Sequence, residues 1–258
     1  MAKLKRKFTL LPNADLSKIL SGAIILSVLA IWHISTEYFH LPFYILASPS
    51  ETVTAFWEAK GLILKNLMIT MVEAFAGFGL GTLFAFVSAA MFLRSRSLRN
   101  GCLPLAIIAQ SIPIVVYVPF ITILFGFGQA SKIVIAVIIS FFPALVNQVR
   151  GFESVDPLVY DLLKSLDATW WQTFWKLRVP SSLRFLFASL KITSALAIVG
   201  AMVGEWASGS FAGIGYLILV FNNQLRTDLL LAAVISSSIA SVLFYAAIAL
   251  VEKWTIKW

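Results

Sequence analysis

The stretch that decides how this chain is read is Asp161–Pro180, DLLKSLDATWWQTFWKLRVP, preceded by Tyr160. It is the longest polar interval in an otherwise apolar sequence. Yet Leu162, Leu166, Trp170 and Phe174 recur at every fourth residue, the spacing of one helix face. Asp161, Lys164, Gln172 and Lys176 fall elsewhere on that wheel. The periodicity predicts an amphipathic helix held outside the apolar runs, where it is presented to something. A helix lying flat in the membrane interface is the competing reading, and Trp170, Trp171, Phe174 and Trp175 suit it. Beyond the stripe, Arg178-Val-Pro180-Ser-Ser reads as a stiff corner leading into the next apolar run.

Working outward, the 258 residues are 60% hydrophobic and only 12% charged, with a mean hydropathy of +0.91. Soluble domains average roughly 45–50% apolar and about 25% charged residues, so this chain belongs to the membrane class. About six spans of roughly 20 residues use half of it and leave short loops without a second soluble domain. Spans are expected at 19–34, 67–93, 102–125, 133–149, 185–207 and 229–251, with 150–184 as the long polar loop, all in one domain covering 1–258. Ser50 is expected to cap a short surface helix through Trp57. Gly77, Gly79 and Gly81 offer span 2 a small-residue face for close packing. Span 3 contains Pro104, Pro113 and Pro119, which predict kinks and freed carbonyls.

The net charge of +8 does not point to nucleic acid, because the basic residues sit between apolar runs rather than in one patch. With the N-terminus inside, fifteen basic residues fall on inner segments and four on outer ones (Lys60, Lys65, Lys132, Arg226), while Lys191 lies within span 5. That bias places both termini and the Asp161–Pro180 stretch in the cytoplasm. The N-terminal basic cluster before span 1 resembles a signal peptide, but the run ends in Trp-His-Ile-Ser without a small-x-small site, so an uncleaved span is expected.

No catalytic constellation is visible: there is no H-E-x-x-H, no G-x-S-x-G and no phosphate-binding loop. His33 and His40 lie at the outer end of span 1 and in the first outer loop, as interfacial side chains. A single cysteine, Cys102, excludes an internal disulfide and a multi-cysteine metal site, and reads as a small buried hydrophobe. Ionisable residues in spans are costly and face a partner, a cavity or the interface. Lys191 is read as reaching back to the interface. Glu205, just beyond Gly200-Ala-Met-Val-Gly204, either lines a translocation route or reaches the outer interface. Glu73 either pairs structurally or contacts a solute. Gln110, Ser111 and Asn147 are candidates for a polar path or for helix–helix hydrogen bonds.

The residues of the polar loop also carry a likeness. The sequence resembles the permease subunits of binding-protein-dependent ABC importers, which share a cytoplasmic E-A-A-x(3)-G-A signature followed by an aromatic and a closing proline. Asp161-Leu162-Leu163 stands at the E-A-A positions, Asp167-Ala168 at the glycine–alanine, and Phe174 and Pro180 follow at matching spacing. Gln110-Ser-Ile-Pro113, Phe125-Gly-Phe-Gly128 with Ser131-Lys132, Phe141-Phe-Pro143, Ser154-Val-Asp-Pro157 and Val203-Gly-Glu205-Trp are similar to the nitrate/sulfonate/taurine-type branch. Within it they look most like permeases associated with pyrimidine thiamine precursors or riboflavin. The likeness covers about residues 40–250.

The resemblance implies an all-α integral membrane protein of about six transmembrane helices in the plasma membrane, with a cytoplasmic coupling helix between spans 4 and 5. It implies that Asp161, Leu162, Leu163, Asp167, Ala168, Trp170, Phe174 and Pro180 meet an ATP-binding subunit, and that Gln110, Asn147, Glu73 and Glu205 border the pathway. ATP and Mg would sit on that subunit, present in two copies, and this chain would bind no cofactor or metal itself. An extracytoplasmic binding protein would deliver the solute, and a second permease copy would complete a homodimer. Aspartate at the signature glycine is a departure; it tolerates the left-handed conformation better than most residues and can cap a helix starting near Thr169. The alternative is an ion-gradient-driven secondary transporter, for which no half-to-half similarity or clustered proton relay is visible. A membrane-embedded enzyme would need a nucleophile–base pair, and none is evident.

Overall fold

A computed structural model describes residues 13–256 other than 40, 41, 43, 208 and 210, and its elements are helices throughout the described residues. His40, the basic residues of the first eighteen and the Lys257–Trp258 tail, each given a role above, lie outside the described residues or their described side chains. The helices are α1 Asn13–Tyr38, α2 Pro49–Arg94, α3 Arg96–Gln110, α4 Ile114–Phe125, α5 Gln129–Glu153, α6 Pro157–Ser165, α7 Trp170–Thr173, α8 Val179–Ala207, α9 Ile214–Asn223 and α10 Thr227–Thr255. A π-type turn, Phe174–Arg178, joins α7 to α8. Five helices are long and apolar enough to cross a membrane, and α3 with α4 makes a sixth span if the bent pair counts as one. The polypeptide is therefore an all-α, multi-pass membrane protein.

Several boundaries differ from expectation for local reasons. Helix α2 is a single rod of 46 residues, so the separate surface helix at Ser50–Trp57 is its first turns. Its cap is Ser48, not Ser50: Glu51 N–H donates to Ser48 Oγ at 3.3 Å, and Ser48 N–H donates to Glu51 Oε2 at 2.7 Å. Pro49 takes the first helical position, where no N–H is needed. Span 3 is broken rather than kinked. Helix α3 stops at Gln110, and α4 leaves at 104° after Pro113, whose ring forces Ile112 out of helical conformation. Pro104 and Pro119 sit inside α3 and α4. The ten-residue apolar helix α9 has no counterpart in the sequence reading.

The chain divides into two compact units. The smaller contains 1–59 and 221–232. There Trp32 Nε1 donates to the Ala47 carbonyl at 3.0 Å, Thr227 Oγ1 to the Tyr44 carbonyl at 2.8 Å, and Arg226 forks onto Asp228 at 3.0 and 2.8 Å.

The larger unit, 60–220 with 233–258, carries the candidate site. Its central pairing is α5 on α8. Gly200 of α8 lies on the Ala136 backbone and Gly204 on Lys132, so any side chain there would separate the helices. On the other side Gly77 and Gly81 of α2 abut Ala136 and Val137–Ser140, whereas Gly79 faces open space and is not part of the packing face. Polar pairs add to the glue: Gln148 Nε2 donates to Ser182 Oγ at 3.2 Å, and Lys191 pairs with Glu252 at 2.8 Å rather than only reaching for the interface. Apolar core clusters among the described residues join α2 with α5 around Phe92, Phe152 and Phe174, α2 with α8 and α10 around Ala74, Ile198 and Phe244, and α4 with α5 around Val118 and Ile135. Cys102, half-buried, packs against the first.

Candidate functional site

The polar loop is built from local rules. Asp156 caps α6, its carboxylate accepting from Leu158 N–H at 2.8 Å, with Pro157 at the first position. At the far end Asp167 takes φ +52, Asp167 N–H donates to Lys164 O at 3.1 Å, and Ala168 N–H to Leu163 O at 3.0 Å. These two bonds are the Schellman closure of a helix, in which glycine normally occupies the left-handed position. The left-handed turn expected at Asp167 is present. Its second expected role is not: the residue capping α7 is Thr169, in a reciprocal box with Gln172 at 2.7 and 3.3 Å.

This turn also splits the four-residue stripe. Leu162 and Leu166 on α6 are exposed, while Phe174 is 2% exposed, so the stripe is not one face of one helix. Phe174 stacks on Trp170 with ring centres 5.0 Å apart and meets Phe152 of α5 edge-on at 5.2 Å. It thus wedges the loop against the α2–α5 core cluster. No stiff corner follows, because Trp170–Ala207 runs through as one apolar helical stretch. Pro180 lacks the N–H that a regular turn would use, and the wide π-type turn ahead of it, closed by Val179 N–H on Phe174 O, accommodates that loss. Arg178, missed in the sequence reading, ties the loop at both ends: Nη1 donates to Phe152 O at 2.8 Å, and the guanidinium lies 5.1 Å from the Tyr160 ring centre.

Of the loop residues named from sequence, Asp161, Leu162, Asp167 and Leu166 are exposed and Leu163, Ala168, Trp170 and Pro180 half-buried. Beside the exposed face of α6, Leu158 is 79% exposed. A segment of apolar and acidic residues is therefore offered outward, while its base packs with α2, α3 and α5.

A second polar region lies far from the loop in sequence. Glu73 is buried and pairs with buried Lys132 Nζ at 2.9 Å. Glu205 is buried too and has both oxygens engaged: Oε1 accepts from Thr70 Oγ1 at 2.5 Å and Oε2 from Gly215 N–H at 2.6 Å. Thr70 Oγ1 in turn accepts from Ile214 N–H at 2.8 Å, and Asn66 Oδ1 from Gly213 N–H at 2.8 Å. Three successive N–H groups at the start of α9 are thus satisfied by side chains of α2 and α8. A carboxylate suits the positive end of α9. Gly213, at φ +110, and Gly215 are required there, because a Cβ on either would strike Glu205. Asn66, Thr70 and Glu73 stand at helical spacing on α2, a polar stripe that the sequence reading passed over, as it did the Gly213-Ile-Gly215 pair.

Gln110 is exposed at the α3–α4 break and lines a cleft of about 290 Å³ with Tyr117, Phe142 and Pro143. Asn147 is half-buried, its amide donating to Pro143 O at 2.8 Å. The packing of α3 and α4 on α5 brings Gln110 near Pro143, but Asn147 is not in the cleft lining, and Glu73 and Glu205 form a separate cluster with Lys132. Among the described residues no group of three or more His, Cys, Asp and Glu could hold a metal.

The polytopic helices, the broken span and the loop wedged against the α2–α5 core are those of a transport permease, as the family match shows. Residues 77–257 match the family described as the binding-protein-dependent transport system inner membrane component, and the chain belongs to that family. It is the permease subunit of a binding-protein-dependent ABC importer of small solutes, and a gradient-driven carrier is not favoured. It is 32% identical over 85% of its length to a probable ABC transporter permease protein of Haemophilus influenzae, of which 89% is covered. It is 29% identical to the formylaminopyrimidine transport permease protein of Halalkalibacterium halodurans and 28% identical to the riboflavin transport system permease protein of Chloroflexus aurantiacus. The matches cover 90% of this chain in both cases, with 93% and 87% of the relatives. A methionine ABC transporter solved in inward-facing conformations shares the fold, with a TM-score of 0.67 and 15% identity over 78% of this chain and 99% of that one.

Proposed function

We propose that this chain forms half of the pathway of an ATP-driven importer in the plasma membrane, with both termini cytoplasmic, and that its 150–184 loop is the coupling segment. The solute is a small organic molecule, of the pyrimidine thiamine-precursor, riboflavin or sulfonate kind, delivered by an extracytoplasmic binding protein. Relatives named for a formylaminopyrimidine and for riboflavin support the first two. A second, identical copy completes the pathway. Two ATP-binding subunits hold ATP and Mg, and this chain hydrolyses nothing.

The observation that carries the reading is the loop's two-sided construction. Asp161, Leu162 and Asp167 face outward, and Leu163, Ala168, Trp170 and Pro180 frame the turn behind them. Phe174 fixes that frame in the α2–α5 core, and the stretch from Trp170 continues without interruption to Ala207. A push on α6 or the Asp167 turn therefore reaches α8 as a rigid displacement. ATP acts only through its different affinity for the two states of the assembly. Gln110, at the broken span, and Asn147 are assigned to the polar path. Glu73 and Glu205, whose carboxyl groups are engaged within the chain, are assigned to positioning the helix ends that border it.

Reconstitution with the ATP-binding subunit and binding protein tests this. Ala168→Asp and Phe174→Ala are expected to reduce solute-stimulated ATP hydrolysis at least tenfold while the chain still inserts, and Asp167→Gly to leave it unchanged. Wild-type transport in both of the first two variants would sink the assignment.

A further inference from the structure

Between the last two turns of α2 and the α7–π-turn segment lies an apolar groove of about 430 Å³. Phe86, Ala90 and Met91 line one wall, Trp171 and Trp175 the other, and Arg94 stands at the rim. The floor, Phe174, is buried, whereas Met91, Trp171 and Trp175 are each more than half exposed. We propose that this groove holds an acyl chain of an anionic phospholipid, with the lipid phosphate on Arg94.

Three observations carry this. The α2 wall belongs to the apolar stretch that crosses the membrane and ends at Arg94, so the groove lies at the level where acyl chains give way to headgroups. The rim offers donors the protein does not use: among the described residues the guanidinium of Arg94 and the indole N–H groups of Trp170, Trp171 and Trp175 have no acceptor, and phosphate and ester oxygens supply them. Charge then selects the headgroup, because Arg94 is exposed at the end of α2, and arginine stems run along apolar surface while the guanidinium reaches the phosphate. Tryptophan at such an interface presents one apolar and one wet edge. The site is distinct from the outward face of α6, and its occupancy does not depend on what that face meets.

The experiment uses the full chain in nanodiscs containing phosphatidylglycerol or phosphatidylcholine brominated on the acyl chains, at equal mole fraction, with tryptophan quenching as readout. The phosphatidylglycerol form is expected to bind about fivefold more tightly, the ratio for one basic contact with an anionic surface. Arg94→Gln, which removes no hydrogen bond or ion pair within the protein, abolishes that preference. Replacing Trp170, Trp171 and Trp175 together by Phe removes the selective quenching, while Trp57→Phe and Trp254→Phe retain it. Equal quenching by the two lipids, unaltered in Arg94→Gln, reduces the groove to unspecific annular contact and overturns the proposal. So does loss of all lipid quenching on adding the ATP-binding subunit together with weaker subunit binding in Arg94→Gln, which makes the occupant a protein.

Discussion

Lys132 stands in the first turn of α5, where the positive helix end disfavours a cation, and it is buried. Glu73, 2.9 Å away on α2, makes that placement tolerable. Breaking a buried ion pair from one side leaves the other charge desolvated and unpaired, at a cost of about 3–5 kcal/mol. Lys132→Met is therefore expected to destabilise strongly, and Lys132→Met with Glu73→Gln to recover most of the loss. Thermal unfolding of both single variants and the double in detergent checks this; a double no better than the singles would show that the charge itself is not at issue. The pair was half legible. Glu73 was recognised as needing a partner, but Lys132, read as part of an outer loop, gave no sign of being it, because the two are joined only by the packing of α2 on α5.

At the scale of elements, the glycines decide how closely α2, α5 and α8 approach. Gly77 and Gly200 both rest on Ala136, one from each side, so α5 is held between two smooth faces. Gly79 shares the cluster in sequence but points into open space. Gly79→Ala is expected to be neutral or to stabilise by up to about 1 kcal/mol through helix propensity alone. Gly200→Val, by contrast, drives a side chain into the Ala136 backbone and is expected to cost several kcal/mol, about 3 or more. Comparing the unfolding midpoints of the two variants settles which glycines pack; similar midpoints would refute the arrangement. The loop obeys the same division. The Asp167 turn follows from residues within five positions and was readable, whereas the cap of α7 was assigned to Asp167 instead of Thr169, and the stripe through Leu162, Leu166, Trp170 and Phe174 was misread as one helix because a period of four persists across the Asp167 turn.

For the molecule as a whole, sidedness is the property on which coupling depends. The cytoplasmic side proposed for the 150–184 loop rests on the excess of basic residues on alternate segments. A cysteine at Gln172, in a Cys102→Ser background, is expected to react with a membrane-impermeant maleimide only when the cytoplasmic side is opened. Labelling of intact cells would invert the assembly and remove the coupling role. Gln172 is exposed even while its side chain caps the Thr169 backbone, so a reagent can reach that position.

The sequence by itself determined that this is a bundle of apolar helices with one outward polar loop, since twenty-odd apolar residues must be helical in hydrocarbon to satisfy their own backbone. It also determined the left-handed turn at Asp167, a matter of neighbouring dihedrals. Only the tertiary structure decided which of the prolines Pro104, Pro113 and Pro119 breaks span 3. It alone showed that Phe174 points into the core rather than outward, and that Asn66, Thr70 and Glu205 together cap a helix none of them belongs to. Periodicity reports what one helix does along its own axis; a buried donor or charge is satisfied by whichever residue packing brings within 3 Å, and that residue can be more than a hundred positions away.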